Sequence, residues 1–318
     1  MRGRFAPSPT GYMHLGNAWT ALLVWLQVRQ AQGTLVLRIE DIDEQRSKPV
    51  FVQGLLEDLT WLGLTWDEGP DVGGPVGLYV QQQRYDLYEQ ALASLREQGL
   101  LYPCYCSRAR LAAIGAPHEG EHIVYDGHCY HLSDAEQANQ TKRPSWRVHV
   151  PAETITFTDG VYGLQKAFLP TYCGDFVVRR ADGLYAYQLA VSVDDGMMGI
   201  THILRGCDLL SSTAQQQWLI RFLGYPVPQY THVPMLMDAE GHRLSKRQHG
   251  IEIRQLREAG LTREAILSYL AYVGGLVPER RCYTLDELVQ HAALGALRQQ
   301  NICIHADVVN EIRSFQLK

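Results

Sequence analysis

The sequence predicts an α/β fold built on a parallel sheet, and three observations lead to this prediction. A short segment, Arg4 to Ala6, reads as a first strand, and the apolar stretch from Ala18 to Gln32 is typical of a buried helix that Gly33 ends. A run of apolar, β-favouring residues, Thr34 to Ile39, follows at once, as expected for the next strand of a parallel sheet. With 318 residues, 46% of them hydrophobic, the chain can bury a large core in two or three domains.

Net charge, apolar runs and cysteine count exclude several classes of protein. The net charge of −5 argues against a protein held on nucleic acid by bulk attraction alone. The N-terminus lacks a signal-peptide pattern and no run is long enough to span a bilayer, so we expect a cytoplasmic protein. The seven cysteines are an odd number and are partly scattered, which does not indicate a disulfide framework.

The turn between the first strand and the helix has features of an anion-binding site. Pro7 and Pro9 stiffen its backbone, and Gly16 lets a ligand approach the main chain where the helix opens. Free N–H groups and the positive end of a helix dipole suit a phosphate, and His14 can donate to a phosphate oxygen. A lone histidine at this position could equally be a surface or capping residue.

A second element of phosphate-binding type follows far downstream, as a basic loop bounded by Gly241 and Gly250. The two elements resemble the two signatures of the class I aminoacyl-tRNA synthetases, His14-Leu-Gly-Asn17 and Arg243-Leu-Ser-Lys-Arg247. The segment Phe-Ala-Pro-Ser-Pro-Thr-Gly that begins at Phe5 is similar to the glutamyl and glutaminyl branch of that class. Further matches cover roughly the first 250 residues in the family's order, at residues 38–43, 62–67, 194–195 and 199–206.

The resemblance implies a Rossmann-type doubly wound parallel sheet with a zinc-bearing insertion and a helical C-terminal stem-contact region. The expected domains are the first half of a nucleotide-binding catalytic domain (1–100), an acceptor-binding insertion (101–172), the second catalytic half (173–245) and a helical region (246–318). The spacing of apolar residues predicts helices over 50–62, 82–98, 209–223, 262–273 and 285–298. Alternating apolar and polar residues predict β structure over 147–165. Turn residues predict a hairpin over 175–190 that returns to the main sheet.

The resemblance also implies a pocket for glutamate. Carboxylates at the carboxyl end of a parallel strand can bind the α-amino group of an amino acid, and by resemblance Glu40 does so, while Asp41 and Asp43 are expected to be capping residues. A guanidinium can bind a carboxylate through two parallel hydrogen bonds. The implied glutamate-binding residues are Arg4, Phe5, Ala6, Pro7, Ser8, Glu40, Tyr187 and Arg205.

The family's reaction is the activation of an amino acid by ATP, with Mg²⁺ on the phosphates. The resemblance implies that His14 and Lys246 are the catalytic residues, and that ATP is bound by His14, Gly16, Asn17, Ser245 and Lys246. Asn17 and Leu244 depart from the ideal signatures, but both key residues are in place.

A cysteine-rich segment suggests a metal site. Cys104, Cys106 and Cys129 could place three thiolates on one tetrahedral ion. Relatives without an anticodon domain carry a Cys-x-Cys, Tyr-x-x-x-Cys pattern here, which implies Tyr125 as the fourth ligand of one structural Zn²⁺. Three unligated cysteines without a metal are the alternative, and chemically more ordinary fourth ligands are the nearby histidines, His118, His122, His128 and His131.

The acceptor of the amino acid depends on the region beyond the signature loop. The sequence continues for 72 residues after Lys246, whereas the family's full-length glutamyl and glutaminyl enzymes continue into a separate anticodon-binding region. Members without that region attach glutamate to the queuosine base at the wobble position of tRNA(Asp), so the resemblance implies this acceptor, with ATP and L-glutamate, for a chain expected to act as a monomer. Three alternatives stay open: a short glutamyl-tRNA synthetase that charges a tRNA 3′ end, a non-catalytic tRNA-binding relative, and a small-molecule adenylylating enzyme. The last could share the His and Lys motifs but would not need a glutamate-type pocket built from Arg4, Tyr187 and Arg205.

Overall fold

The fold is known from a computed structural model that describes residues 1–107, 109–111, 124–242, 244, 251–305 and 307–316. The strands within these ranges are β1 (Arg2–Phe5), β2 (Thr34–Leu37), β3 (Leu101–Cys104), β4 (Ser145–Val148), β5 (Thr154–Asp159), β6 (Gly163–Phe168), β7 (Phe176–Arg179), β8 (His202–Gly206), β9 (Gln229–Val233), β10 (Leu236–Met237) and β11 (Ile302–Cys303).

The α-helices within the same ranges are α1 (Leu15–Gln30), α2 (Pro49–Leu62), α3 (Tyr85–Glu97), α4 (Asp134–Ala138), α5 (Leu169–Tyr172), α6 (Tyr187–Met197), α7 (Thr213–Phe222), α8 (Ile253–Glu258), α9 (Arg263–Val273), α10 (Leu285–His291) and α11 (Val308–Gln316). Single 3₁₀ turns lie at Gln81–Arg84, His128–His131, Cys207–Ser212 and Leu294–Ala296. None of these helices is both long and apolar enough to cross a membrane.

The central sheet has the strand order β2-β1-β8-β9, and every neighbouring pair is parallel. The prediction of an α/β fold on a parallel sheet is therefore confirmed. The chain runs outward from β1 to β2 on one side and from β8 to β9 on the other, so the direction of strand order changes between β1 and β8. In open α/β sheets, ligands bind beyond the carboxyl ends of the strands at such a point.

Helix α1 crosses the sheet and is buried on most of its circumference, because its sequence is apolar on nearly every face. The indole N–H of Trp19 donates to the carbonyl of Pro234 at 2.9 Å, which ties the helix to the segment after β9. A larger hydrophobic core surrounds α1, and a second core lies between α3, β4, α6 and α7. The first turn of α1 is thus held firmly against the carboxyl edge of the sheet.

The hairpin predicted over 175–190 is wrong in its second half. Strand β7 and the turn at Gly183 are present, but residues from Tyr187 onward form helix α6. Leu189, Ala190 and Val193 recur at helical spacing and are buried in the second core, which outweighs the strand-like appearance of the sequence.

Strand β7 also does not return to the main sheet. It pairs with β4 in a separate antiparallel sheet of order β3-β4-β7, within the described part of the chain. The helix predicted over 285–298 is shorter than expected, because the chain leaves α10 at Ala292 and the N–H of Ala293 donates to the carbonyl of Leu276. The four domain boundaries stay predictions.

Candidate active site

A cavity of about 760 Å³ opens at the carboxyl ends of β1 and β8. Its walls come from the end of β1, the turn that follows, the first turns of α1, the start of α6 and the segments after β8 and β9. Ten of the residues predicted from the sequence line it: Arg4, Phe5, Ala6, Pro7, Ser8, His14, Gly16, Asn17, Tyr187 and Arg205. The sheet therefore brings together side chains that lie up to 201 positions apart in the chain.

His14 is the N-cap of α1, and its imidazole closes part of the helix end. Nδ1 accepts from the backbone N–H groups of Gly16 at 3.1 Å and Asn17 at 3.3 Å, and the Asn17 side chain accepts from the N–H of His14. Two of the N–H groups that were expected to be free for a phosphate are thus already used. Because Nδ1 accepts, a neutral imidazole carries its proton on Nε2, which is then a hydrogen-bond donor.

Gly16 is required by this cap. A Cβ at this position would lie 3.0 Å from Cε1 and 3.1 Å from Nδ1 of His14. A larger side chain would therefore displace the imidazole from the helix end. The φ angle of Gly16 is not positive, so the reason for glycine here is close approach and not backbone conformation.

The end of the cavity that is predicted to bind the amino acid, called the amino-acid end below, rests on a buried chain of charges. Asp195 accepts from Arg38 Nη1 at 2.7 Å and from Arg4 Nε at 3.3 Å. Burial acts to raise the pKa of Asp195, but Arg38 and Arg4 outweigh it and hold the pKa below its ordinary value. The neighbouring Asp194 accepts from Gln81 Nε2 and Arg84 Nε of the 3₁₀ turn before α3, and its Oδ2 lies 3.6 Å from Arg38 Nε.

Glu40 does not line the cavity but lies at its inner side. Its carboxylate accepts from Arg38 Nη2 at 2.9 Å, and its exposed fraction is 6%. Burial raises the pKa of Glu40, and the opposing effect of Arg38 offsets this only in part. Arg38 thus links the carboxylate predicted to bind an amino group with the aspartate that holds Arg4.

Tyr187 and Arg205 complete this end. Burial raises the pKa of Tyr187 to about 12, and the negative charge of Glu40 adds to the effect. Arg205 Nε donates to His232 Nε2 at 3.0 Å, Nη1 donates to Gln216 at 2.6 Å, and Nη2 donates to Thr213 Oγ1 and the carbonyl of Leu209.

The hydrogen-bond count corrects one expectation about the arginines. Arg205 uses four of its five N–H groups on its own neighbours, so it can offer a ligand one N–H and its charge, but not the two parallel hydrogen bonds that were predicted. Arg4 makes two hydrogen bonds within the described residues, to Asp195 and to the carbonyl of Leu204, which leaves three N–H groups for a ligand. Of these two arginines, Arg4 alone keeps enough N–H groups to bind a carboxylate through two parallel hydrogen bonds.

The basic signature loop lies largely outside the described residues. Arg243, Ser245, Lys246 and Arg247 belong to that undescribed part, so the predicted catalytic role of Lys246 and the ATP-binding role of Ser245 stay predictions. Leu244 is described, and it lines the cavity on the side of Gly16. The loop therefore reaches the cavity at this residue.

Several residues of the site were missed by the sequence analysis. Thr10, Arg46 and Asp208 line the cavity, and Arg38 and Asp195 hold its charged groups in place. Arg46 carried no motif signal of its own. Arg38 and Asp195 fell inside matched segments, but a local pattern does not reveal a pairing across 157 positions.

The cysteine cluster also forms as expected. The sulfur atoms of Cys104, Cys106 and Cys129 lie within 4.8 Å of one another, and the Tyr125 hydroxyl oxygen is 3.5 Å from Cys104 Sγ and 3.4 Å from Cys106 Sγ. Tetrahedral zinc, with bonds of about 2.3 Å to sulfur and about 2.0 Å to oxygen, separates its ligands by about 3.5 to 3.8 Å. The spacing of these side chains therefore fits such an ion.

The alternative histidine ligands are not in this cluster. His128 and His131 are exposed, and His118 and His122 lie outside the described residues. Tyr125 is buried, and its hydroxyl also accepts from the N–H of Cys129 at 2.9 Å.

A parallel sheet with a ligand cavity at the switch of strand order agrees with the doubly wound catalytic domain that the resemblance to class I aminoacyl-tRNA synthetases implies. Residues 1–310 match the family model for the catalytic domain of class I tRNA synthetases (E and Q). The chain belongs to this family, and it is a ligase of the aminoacyl-tRNA synthetase type.

Two relatives match this chain over nearly their whole length. It is 49% identical to the Glutamyl-Q tRNA(Asp) synthetase of Symbiobacterium thermophilum, with 96% of this chain and 97% of that protein covered. It is 45% identical to the protein of the same name from Nitratidesulfovibrio vulgaris, with 98% of each chain covered. Glutamate–tRNA ligase 2 of Acidithiobacillus ferrooxidans is also 45% identical. That match covers 86% of this chain but only 58% of the ligase.

A solved structure agrees with the fold. The glutamate tRNA ligase from Elizabethkingia meningosepticum, crystallised in complex with its amino acid, superposes with a TM-score of 0.85 at 27% identity. The match covers the whole of this chain and 70% of the ligase.

Proposed function

We propose that the protein activates L-glutamate with ATP to glutamyl-adenylate and transfers the glutamyl group to the queuosine base at the wobble position of tRNA(Asp). The observation that carries the proposal is the cavity itself, which places two buried arginines and a buried glutamate around its inner end and His14 at its outer end. The names of the two relatives that match over nearly their whole length support the choice of acceptor.

The charges at the inner end suit a glutamate zwitterion. Arg4 and Arg205 offer positive charge to its two carboxylates, and Glu40 offers negative charge to its ammonium group. Arg4 is the forked ligand, since it keeps three N–H groups, whereas Arg205 contributes one. Tyr187 stays protonated and presents a hydroxyl beside them, because its pKa is about 12.

In the proposed first step, an α-carboxylate oxygen of glutamate attacks the α-phosphorus of ATP. The new P–O bond forms as the bond to the bridging oxygen breaks, and pyrophosphate leaves. His14 donates from Nε2 to the phosphate oxygens as charge develops, and Lys246 acts on the leaving phosphates with Mg²⁺. No protein nucleophile is needed, so the residues act by position and charge.

In the proposed second step, a hydroxyl oxygen of the queuosine ring attacks the carbonyl carbon of the adenylate. The ester bond forms, the hydroxyl proton is lost, and AMP leaves with the electrons of the broken bond. The choice of this acceptor rests on the two relatives whose names specify it.

Zn²⁺ is proposed at the cysteine cluster, with Cys104, Cys106, Cys129 and Tyr125 as its ligands. Four protein ligands make a closed site, so the ion would stabilise its surroundings and take no part in the chemistry. Metal analysis of the purified protein should find one zinc per chain, and Cys129→Ser should lower that content. Full zinc content in Cys129→Ser would remove this assignment.

The test uses ATP, labelled glutamate and two preparations of tRNA(Asp), one with queuosine and one from cells that cannot make it. Label on the queuosine-bearing preparation alone supports the proposal. Equal labelling of both, or labelling of tRNA(Glu), would indicate a 3′-end synthetase, the alternative favoured by the 45% identity to a glutamate–tRNA ligase. Absence of glutamate-dependent pyrophosphate exchange would indicate a non-catalytic relative and refute both.

A further inference from the structure

The guanidinium of Arg205 is held by groups that no part of the proposed reaction uses. Its Nε–H points to His232 Nε2 at 3.0 Å, and the two residues face each other in the register of β8 and β9. The side chain of His232 is completely buried and does not line the cavity. It therefore touches the proposed substrate only through Arg205.

The hydrogen bonds settle which nitrogen of His232 carries the proton. An arginine has donors only, so Nε2 must accept from Arg205. The proton of the neutral ring then lies on Nδ1, which is 2.6 Å from Asp159 Oδ2 and donates to it. Burial and the nearby charges of Arg205 and Arg4 lower the pKa of His232, although Asp159 opposes them, and the ring is neutral at physiological pH.

Asp159 is the last residue of β5 and belongs to the β5–β6 hairpin, not to the central sheet. Its two oxygens accept from the backbone N–H groups of Val161, Tyr162 and His232 as well as from the imidazole. Burial acts to raise the pKa of Asp159, but these hydrogen bonds keep it below the ordinary value. A carboxylate can accept all of them, whereas an amide has only one oxygen.

We propose that Asp159 and His232 are positioning residues that fix the guanidinium of Arg205 for a carboxylate of the amino-acid substrate. Asp159 selects the tautomer of His232, and His232 then accepts from Nε and sets the rotation of the guanidinium plane. This fixes the direction in which Arg205 presents the one N–H that it keeps for a ligand. This inference rests on the proposed binding of glutamate.

Part of the predicted insertion is thus a structural component of the amino-acid pocket. The hairpin, Thr154–Phe168, lies within the segment 101–172 that was expected to bind the acceptor. Through Asp159 it also determines where a cation of the glutamate pocket lies.

Two substitutions of His232 separate positioning from packing. His232→Gln keeps an acceptor near the place of Nε2, whereas His232→Asn keeps a polar group near Nδ1 and loses the acceptor for Arg205. Both side chains are neutral and polar. In glutamate-dependent exchange of pyrophosphate into ATP, His232→Asn should raise KM for glutamate by about tenfold or more, with KM for ATP and kcat little changed, and His232→Gln should restore most of the loss.

Thermal unfolding of both variants identifies any loss that comes from misfolding. A folded His232→Asn variant with the original KM for glutamate would overturn the inference, as would equal impairment of the two variants. If the original protein shows no glutamate-dependent exchange, the proposed function fails, and that failure is distinct from either result.

A second measurement does not depend on the two His232 variants. Long-range ¹H–¹⁵N spectra of the original protein distinguish the two neutral tautomers of a histidine. The His232 ring should show a protonated Nδ1 and an unprotonated Nε2, and Asp159→Asn should change this signature. A His232 ring protonated on Nε2 in the original protein would overturn the inference even if both His232 variants failed to fold.

Discussion

The two ends of the cavity differ in how they hold their charged groups. At the amino-acid end, Arg4, Arg38, Glu40 and Asp195 are nearly inaccessible to solvent, and each has a charged partner within 3.3 Å. Arg38 Nε lacks a hydrogen bond but lies 3.6 Å from the Asp194 carboxylate. Beside the proposed nucleotide end, the buried Asp58 Oδ2 and Arg254 Nε also have no hydrogen-bond partner among the described residues. Arg254 lies against Tyr12, two residues before His14.

This difference corresponds to the ligand that we propose for each end of the cavity. A small zwitterion is recognised by fixed charges, and fixed charges inside a protein must be paired or they destabilise the fold. The outer end, where we propose that ATP binds, is formed by a helix start that His14 caps and by a loop that reaches the cavity at Leu244. The proposed binding of ATP at this end therefore depends on fewer buried charged side chains than the proposed binding of glutamate at the other end.

The largest expected effect is that of Arg38→Met, which breaks the paired end. Glu40 and Asp195 would lose their shared cation in a buried site, which should cost about 3 to 5 kcal/mol of unfolding free energy. Denaturant unfolding measures this. Arg46→Met is the control, because the Arg46 side chain is 69% exposed in its pair with Asp43 and should contribute less than about 1 kcal/mol. Similar losses in both variants would contradict the comparison.

At the outer end, His14→Asn should separate the cap from the chemistry. Asparagine is a good N-cap, so the unfolding free energy should change by only a few tenths of a kcal/mol. The Nε2 donor is lost, and pyrophosphate exchange should fall by roughly 10² to 10³-fold. In His14→Ala the cap is lost as well, and stability should drop by about 1 kcal/mol more. Exchange near the original rate in His14→Asn would exclude His14 from the reaction.

Asp58→Asn tests the unpaired carboxylate of α2. Burial raises the pKa of Asp58 from 3.8 to about 6, although Arg254 opposes it, so protonation stabilises the folded state. The original protein should therefore lose stability as pH rises from about 4 to about 6, and the full penalty should apply above that range. The variant lacks this ionisation and should be more stable at pH 7 by roughly 1 to 2 kcal/mol. A variant less stable than the original at pH 7 would mean that the buried charge is compensated.

The smallest expected effect concerns Glu40 and pH. Burial raises its pKa, so the carboxylate becomes neutral as pH falls through that raised value, and glutamate affinity should fall by about tenfold per pH unit below it. Equilibrium dialysis of labelled glutamate without ATP measures this binding alone. In Glu40→Gln, binding should be weak at every pH and should lack the acid decline. An identical acid decline in the variant would assign it to another group.

Much of the fold could be predicted because its signals are local. The apolar run of α1, the glycine at residue 33 and the β-favouring segment after it were enough for the start of the parallel sheet. The segment from Tyr187 was predicted wrongly as a strand, because a short apolar run does not distinguish a strand from a helix until its packing partners are known.

The site was predictable to the extent that motifs mark it. Residues of the first signature and the arginines of the pocket line the cavity as expected, although their roles stay predictions. The groups that hold them were not predictable. Asp159 reaches Arg205 through His232, a contact between three separate strands that has no spacing in the sequence.

The sequence separation within the charged end has a consequence for biosynthesis. Arg4 meets Asp195 across 191 positions, and Arg38 meets the same carboxylate across 157. The two arginines therefore leave the ribosome long before the residue that neutralises them, and the β1–β2 unit cannot bury their charges until α6 has been made. The proposed amino-acid pocket therefore forms late during synthesis, and a chain interrupted before α6 would contain the first signature motif but would lack Asp195, Tyr187 and Arg205.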